Sequence, residues 1–486
     1  MPDLLIVERA AEIVLNEARA MGASYADLRS VRISTETVRL ANGQPDQIDR
    51  GRSAGFAVRV LADGAWGFAS APDLNEKTAS ALLKEAVAIA KASARLNAVP
   101  VSLAAMKSVQ GQYTTPFQVN PFEVPLQDKI DFLRELDSAL RANTAINETE
   151  TFMEFRREEK WFYSTEGAAI IQTILHSGAG MVAAARRSRR EAGERSFPTS
   201  GGQHVAGGYE VIANFGMREA APRISEEAVL LLDAPVLPAQ ETTLILSGDL
   251  VSLQIHESIG HPLELDRVFG SERNFSGTSF ATPEQRGALQ YAAPIVTVYS
   301  DPSAPGGLGS YGYDDEGIPA RRAALIEKGV LVDYLSSRET ASRIGRDSTG
   351  AMRAESWGDL PLVRMTNINL EPGSGTLEEL IAETDQGVTI ETPAAWSIDD
   401  RRENFQLGGE VAWEIRGGKR GQIYKGAVYS GNTVTFWNNC DRIGGPAEYR
   451  IWGTPNCGKG QPGQNMRTGQ GASPARFRNV RVGENA

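Results

Sequence analysis

The chain has 486 residues, 41% of them hydrophobic, enough for one large or two ordinary domains with cores of their own. No apolar run approaches the roughly 18 residues that a bilayer-spanning helix needs, which excludes a membrane protein of that kind. With 61 acidic against 50 basic residues, the net charge of −11 repels phosphate backbones and speaks against direct nucleic-acid contact.

At the N-terminus, Asp3, Glu8, Arg9, Glu12, Glu17 and Arg19 interrupt any apolar stretch of the kind a secretory signal carries, and a cytoplasmic location is expected. Val7, Ala11, Val14, Ala18 and Met21 recur on one face of a first helix, which Gly22 can end. Residues 26–34 and 53–61 alternate as strands, and Asp63-Gly64 offers a hairpin turn before a strand at Trp66 to Ala69. A second helix opens at Asp73, with Glu76 three positions on in capping-box spacing, and runs to about Leu96. A polar, proline-containing stretch from Ala98 to Pro125 follows.

The order then recurs. A helix with Ile130, Leu133, Leu136 and Leu140 on one side precedes strands near 148–156, 160–164 and 168–176. Arg186, Arg187, Arg189 and Arg190 concentrate positive charge but adjoin Glu191 and Glu194, and read as a solvated segment. Gly201, Gly202, Gly207 and Gly208 mark a flexible region. Residues 1–225 thus read as an N-terminal α+β domain of two layers, with a suggestion of two similar halves. Pro235 and Pro238 follow a short helix and set a boundary. Residues 239–486 read as a mostly antiparallel β domain carrying one metal-binding helix, with hairpins turning at Glu327-Lys328-Gly329 and Gly417-Gly418-Lys419. The expected fold class is α+β.

The chemistry concentrates just past the boundary. Thr242 to Leu246 is an apolar strand, Ser247-Gly248-Asp249 a helix entry, and Leu250, Val251, Leu253 and Ile255 make the helix apolar over most of its surface. Its end reads His256-Glu257-Ser258-Ile259-Gly260-His261. Burying unpartnered charge costs on the order of 3 kcal/mol or more, so a metal accounts for these residues in a core helix. The spacing is unusual. Five residues turn through roughly 140° on an ideal helix, so both imidazoles cannot meet one ion without unwinding. Gly260 supplies backbone freedom and Pro262 biases His261 away from helical geometry, so a π-like turn or a helix end at Gly260 is expected.

A catalytic zinc takes a third protein ligand and an open position for water. Glu257 is placed to accept the water's proton and pass it to the leaving amine. Candidates for the third ligand are Glu264, Asp266 and a distant thiolate. Cys457 sits in a tight loop with Lys459 nearby to favour its thiolate, whereas Cys440 looks less poised. The plainer reading, ordinary helix-end histidines, is disfavoured because the chain has only four and two fall here. His176, in an apolar strand, and His204, in a glycine-rich loop, read as structural or solvated.

At these positions the chain resembles the TldD/PmbA family, whose active members carry a His-Glu-three-residue-His motif matched by His256, Glu257 and His261. The resemblance continues through Pro262-Leu263-Glu264-Leu265-Asp266, Tyr313-Asp314-Asp315-Glu316-Gly317, Arg364-Met365-Thr366-Asn367 and Asn456-Cys457-Gly458-Lys459-Gly460-Gln461. It implies a zinc peptidase with one Zn2+ per active subunit, held by His256, His261 and Cys457, with Glu257 as catalytic base. It further implies unfolded or extended peptides as substrates, and a homodimer or a heterodimer with a PmbA-like sister subunit that lacks the metal motif. Leu265 stands where many relatives have glycine, and the tail carries Arg467, Arg476, Arg478 and Arg481; both bear on substrate preference. Asp314, Asp315 and Glu316 either line the site or form an exposed acidic turn. The competing functional class is a regulatory protein-binding module, gyrase-modulator-like, with a structural metal. A zinc amidohydrolase acting on small amides is intermediate between the two.

Overall fold

Helix α1 (Leu4–Ala20) buries Val7, Ala10, Ala11, Val14 and Ala18, the face its periodicity predicts. The computed structural model describes residues 4–97, 99–188 and 191–483. Strands β1 (Tyr25–Ala41) and β2 (Gln44–Ala62) pair antiparallel along their whole length and run well beyond the predicted 26–34 and 53–61. The added part of β2, residues 44–50, is exposed and polar, so no burial alternation announces it. It turns at Asn42-Gly43, and β2 turns into β3 (Ala65–Ala71) at Asp63-Gly64. Both dipeptides hold two successive positive φ angles, as tight hairpins require.

Helix α2 (Glu76–Ala94) starts from Asn75, not Asp73: the Asn75 side chain accepts the Thr78 N–H at 2.9 Å. The polar stretch before residue 125 contains β4 (Gln110–Thr114), a polar strand paired parallel to residues 169–173. Helix α3 (Leu126–Arg141) buries Ile130, Leu133, Leu136 and Leu140 as predicted. The two strands expected at 148–156 and 160–164 are one, β5 (Glu148–Ser164), paired with β1 and with β6 (Ala169–Arg186). Its charged middle, Arg156 to Lys160, breaks the apolar pattern without breaking the ladder. β7 (Ala192–Phe197) and β8 (Gln203–Ala206) both pair with β6, and the glycines at 201, 202, 207 and 208 form the turns flanking β8. Helix α4 (Met217–Asp233), longer than expected, closes this part.

The N-terminal part is therefore one sheet in the order β3-β2-β1-β5-β6-β4, with α1 and α2 sharing a core with β1–β3 and α3 and α4 sharing one with β5 and β6. Arg186 and Arg187 pair with Glu148 and Asp233, while Arg189 and Arg190 lie outside the described residues. Strands dominate from residue 240. β9 (Gln240–Leu246) lies between Gln386–Ile398 and Ala475–Val482 in a seven-stranded sheet, which the pairing of Gln386–Ile398 with Asn404–Arg416 closes on itself. A second, six-stranded sheet ends on Arg450–Lys459. Lys328-Gly329 and Gly417-Gly418 make the expected hairpin turns, and short helices such as Arg338–Arg343 and Thr433–Asn438 fill between strands. The architecture is α+β. No helix among the described residues is long and apolar enough to cross a membrane.

The α2–β3 contact leaves no room for a side chain at Gly67, where a Cβ would fall 1.8 Å from the Ala86 carbonyl oxygen. Gly67→Ala is expected to lower the first thermal transition, because overpacking against backbone costs about 1–3 kcal/mol. An unchanged melting curve would contradict this packing.

Candidate metal centre

The end of β9 delivers the chain into α5 (Gly248–Ile255), whose Leu250, Val251 and Ile255 are fully buried in the largest core. At His256 the helix widens. The His261 N–H donates to the His256 carbonyl, five residues back, and His256–Gly260 forms a π-turn. This is the distortion the spacing demands, and it brings the two imidazole centroids to 4.9 Å with the rings nearly perpendicular.

Neighbouring side chains hold the widened turn. A Cβ at position 260 would fall 2.0 Å from Met365 Sδ, so glycine lets Met365 pack directly against the turn. Ser258 Oγ accepts from Trp437 Nε1 and Gln254 Nε2, each at 2.9 Å, and donates to the Gln254 carbonyl. The Tyr291 hydroxyl donates to the Ser258 carbonyl at 2.5 Å. Pro262 then sits in a single tight turn, His261–Leu263.

The donor atoms of His256, His261 and Cys457 all lie within 4.8 Å of one another, and all three residues are buried. Cys457 Sγ is 3.6 Å from His261 Nε2, while His261 Nδ1 is 2.9 Å from Glu264 Oε2. With its proton on Nδ1, the ring donates to that carboxylate and turns the Nε2 lone pair towards the cluster. His256 Nδ1 is buried without a hydrogen-bond partner. Burial alone would raise the Cys457 pKa, but His256, His261 and Arg364 outweigh it and hold the thiol well below its ordinary value. Burial likewise depresses His261, yet Cys457 and Glu264 push it up to about 9. Two negative groups thus draw positive charge onto the imidazole, a role a bound metal would take over as the proton leaves. Two imidazoles, one of them with an orphaned ring nitrogen, and a thiolate suit a borderline-soft ion such as zinc.

The other third-ligand candidates lie elsewhere. Glu264 faces the far nitrogen of His261 and Lys459 Nζ at 3.4 Å, and Asp266 takes Lys459 Nζ at 2.7 Å. Lys459 is therefore not the cation beside the thiol. That cation is Arg364, whose guanidinium donates to the Cys457 carbonyl. Cys457 belongs not to a loop but to the strand Arg450–Lys459, beyond a bulge after Thr454. Cys440 opens the strand Cys440–Ile443 in the core, where burial, then Asp441, pushes its thiol pKa far up.

Glu257 is buried beside the donors. Its Oε2 accepts from Arg402 Nη1 at 2.5 Å. Burial raises its pKa, but His256, His261 and Arg402 overcome this and keep the carboxylate ionised. A cavity of about 910 Å³ opens onto His256, Glu257, His261 and Cys457. Its walls include Arg39, Phe152 and Glu154 of the N-terminal sheet, Pro393, Trp396 and Ile398, and the strand from Trp452 to Gly458.

Asp314, Asp315 and Glu316 neither line this centre nor form an exposed turn. All three are buried where the N-terminal sheet meets the C-terminal part. Asp315 pairs with Lys160 and Arg29, and Glu316 with Arg59. His176 is buried with neither ring nitrogen bonded; burial, then Arg467, keeps it neutral. His204 borders the cavity, its Nε2 3.2 Å from the Gly201 carbonyl oxygen. Sequence reasoning missed Arg402, which lies in the charged run Asp399-Asp400-Arg401-Arg402-Glu403 and carries no local signal.

Fold and donor set together define an α+β protein with a centre of two histidines and one cysteine able to hold a metal. Residues 239–484 match the PmbA/TldA metallopeptidase C-terminal domain, residues 26–90 its domain 1 and residues 119–232 its central domain. The chain belongs to the PmbA/TldD family of metallopeptidases. It is similar to a metalloprotease of Methanothermobacter thermautotrophicus, 28% identical over 94% of this chain and 95% of that one. It is also similar to the zinc metalloprotease TldD homolog of Saccharolobus solfataricus, 22% identical over 96% and 98% of the two chains. Among solved structures it shares the fold of TldE from Thermococcus kodakarensis, with a TM-score of 0.74 at 16% identity, covering 97% and 99% of the chains. A Thermotoga maritima protein described as a candidate modulator of a DNA gyrase gives a TM-score of 0.76 at 17% identity, covering 98% and 99%.

The donor geometry separates the two cysteines. Cys457→Ser is expected to lose bound zinc, since a neutral hydroxyl is a far poorer ligand than a thiolate, whereas Cys440→Ser keeps it. Zinc content of both variants, measured beside the wild type after identical desalting, decides; full occupancy in Cys457→Ser would remove Cys457 from the ligand set.

Proposed function

We propose that the protein is a zinc-dependent peptidase acting on unfolded or extended peptides, with His256, His261 and Cys457 holding one ion and Glu257 as general base. The observation that carries this reading is a buried carboxylate adjoining three clustered donors at the edge of a large cavity. The donor chemistry and the zinc named for the Saccharolobus relative support the choice of metal. Zinc bound there would supply Lewis acidity, acidifying a water molecule and polarising an amide carbonyl. Arg402 engages only Oε2 of Glu257, leaving Oε1 to take the proton from water and later give it to the amine nitrogen. Glu264 holds the proton of His261 on Nδ1, which keeps the ring in one tautomer and orientation. The regulatory alternative is weaker. A structural zinc is closed by four protein ligands, and here three donors face a cavity.

Two strand edges support an extended substrate. Arg450–Lys459 ends its sheet, and its residues Thr454 to Gly458 border the cavity. Residues 393–398 pair on one side only, with 405–409, and also border it. Unpaired backbone groups at such edges bind an extended chain whatever its sequence. Dimerisation, with a second copy or a sister subunit, belongs to the same reading.

Glu257→Gln is expected to keep its zinc and lose cleavage by about 100-fold or more, because an amide cannot accept the proton; normal turnover would exclude Glu257 as the base. A destabilised protein should be cut much faster when unfolded than when a tight ligand keeps it folded. Equal rates for the two states would remove the requirement for extended chains.

A further inference from the structure

Arg402 occupies an unusual position at the tip of the hairpin between Gln386–Ile398 and Asn404–Arg416. Its φ is +64°, in the left-handed region that a side chain rarely adopts. The surrounding tip is tied down on every side. The Asp399 carboxylate accepts the N–H groups of Arg401, Glu403 and Asn404 at 2.9–3.1 Å. The Arg402 carbonyl accepts from Thr433 Oγ1 at 2.7 Å, and the Asp400 and Arg401 carbonyls accept from Thr278 and Phe280. These bonds fix the backbone of the tip and with it the point from which the Arg402 side chain departs.

The side chain is 11% exposed and borders the cavity. Its guanidinium Nη1 binds Glu257, so the positive charge sits against the carboxylate that adjoins the three donors, at the border of the cavity. The charge balance points the same way. Glu264 and Asp266 are matched by Lys459 and Arg364. With a divalent ion in place, the Cys457 thiolate and Glu257 carboxylate would balance it, and Arg402 would add a positive charge directly beside Glu257.

We propose that Arg402 is a catalytic residue that binds the oxyanion formed when water adds to the scissile carbonyl. This rests on the peptidase reading above. In that step the water oxygen bonds to the carbonyl carbon and its proton passes to Glu257. The carbonyl π pair moves onto oxygen, and the free N–H groups of Arg402 donate to it. On collapse the pair returns, the C–N bond breaks, and the proton on Glu257 goes to the amine nitrogen; the added hydroxyl then gives its remaining proton to the freed amine, leaving a carboxylate and an ammonium. A fixed guanidinium, already beside the base, gains most of its interaction only as the charge develops.

The test uses full-length, zinc-loaded protein. Arg402→Gly is the informative change, because glycine accepts a positive φ without strain and the tip keeps its backbone bonds. Zinc content should match the wild type, and the protein should stay folded at the assay temperature although the lost ion pair lowers its thermal midpoint. For a peptide the wild type cleaves, kcat should fall about 100-fold or more, with KM changed by less than about threefold. Added guanidinium ions should restore part of the lost rate, and Arg402→Lys should retain part of it. A phosphinic analogue of the same peptide should bind Arg402→Gly about as many times more weakly as kcat has fallen, whereas the intact peptide should bind a Glu257→Gln protein equally well with or without Arg402.

A kcat within about threefold of wild type would overturn the proposal, given the 100-fold effect expected of a lost oxyanion donor. So would a loss confined to peptides with a free C-terminal carboxylate and absent from C-amidated ones, since Arg402 would then be reading that terminus. A wild type that cleaves no peptide overturns the peptidase reading and this inference with it; a wild type that cleaves no faster than Arg402→Gly overturns this inference alone.

Discussion

Everything at this centre depends on one backbone event, the widening of α5 into a π-turn between His256 and Gly260. Five positions apart, the two imidazoles diverge on a regular helix; with the His261 N–H bonded to the His256 carbonyl they converge. A π-turn is rarely stable on local propensity alone, so its cost must be met by packing. That packing is visible atom by atom. Met365 fills the space that a side chain at 260 would need, and Trp437, Tyr291 and Gln254 converge on Ser258. The segment Arg364-Met365 therefore serves the turn twice, through Met365 against Gly260 and Arg364 on the Cys457 backbone.

The second constraint is charge. The centre buries Glu257, Glu264, Asp266, Arg364, Arg267 and Lys459 around three metal-type donors. Leaving any one of them unpaired in a core would be expensive. Glu264 and Asp266 are both acidic and near the histidines in sequence, yet Lys459 draws both away from the donor cluster. The same rule governs the junction between the two parts of the molecule. There Asp315 and Glu316 meet Lys160, Arg29 and Arg59, so the N-terminal sheet is fixed against the C-terminal part by matched buried charges.

Much of this was legible from the residues. The α+β class, the helices with 3.6-residue periodicity and the distortion at Gly260 all follow from local patterns, because burial on one face or an impossible spacing leaves a mark in sequence; the family came from the resemblance of several motifs taken together. What local patterns do not carry is pairing that polar residues make with distant partners. β4 is polar, the outer half of β2 is exposed, and the middle of β5 is charged, so each fails the alternation test while its ladder bonds hold it in place. Cys457 was expected in a loop because Pro455 and two nearby glycines suggest one; a bulge absorbs the proline within a strand instead. Arg402 lay beyond reach altogether. A charged run at a hairpin tip usually faces water, and only the fold shows the tip turned inward onto Glu257.

The N-terminal sheet is more than a support. Arg39, Phe152 and Glu154, from β1 and β5, border the same cavity as the histidines, although they lie more than a hundred residues away in sequence. The donors come from the end of α5 and from Arg450–Lys459, and Glu257 is held by a hairpin tip. The opposite wall is one face of a sheet whose other face, with Val38, Leu40, Met153 and Phe155, packs into a separate core. A cavity between two such parts changes shape if either shifts, and the buried charge pairs at the junction resist such a shift. An open groove on the C-terminal part alone would admit any surface loop. With the second wall in place, Glu257 lies between two sheets, a setting that agrees with the extended substrate proposed above.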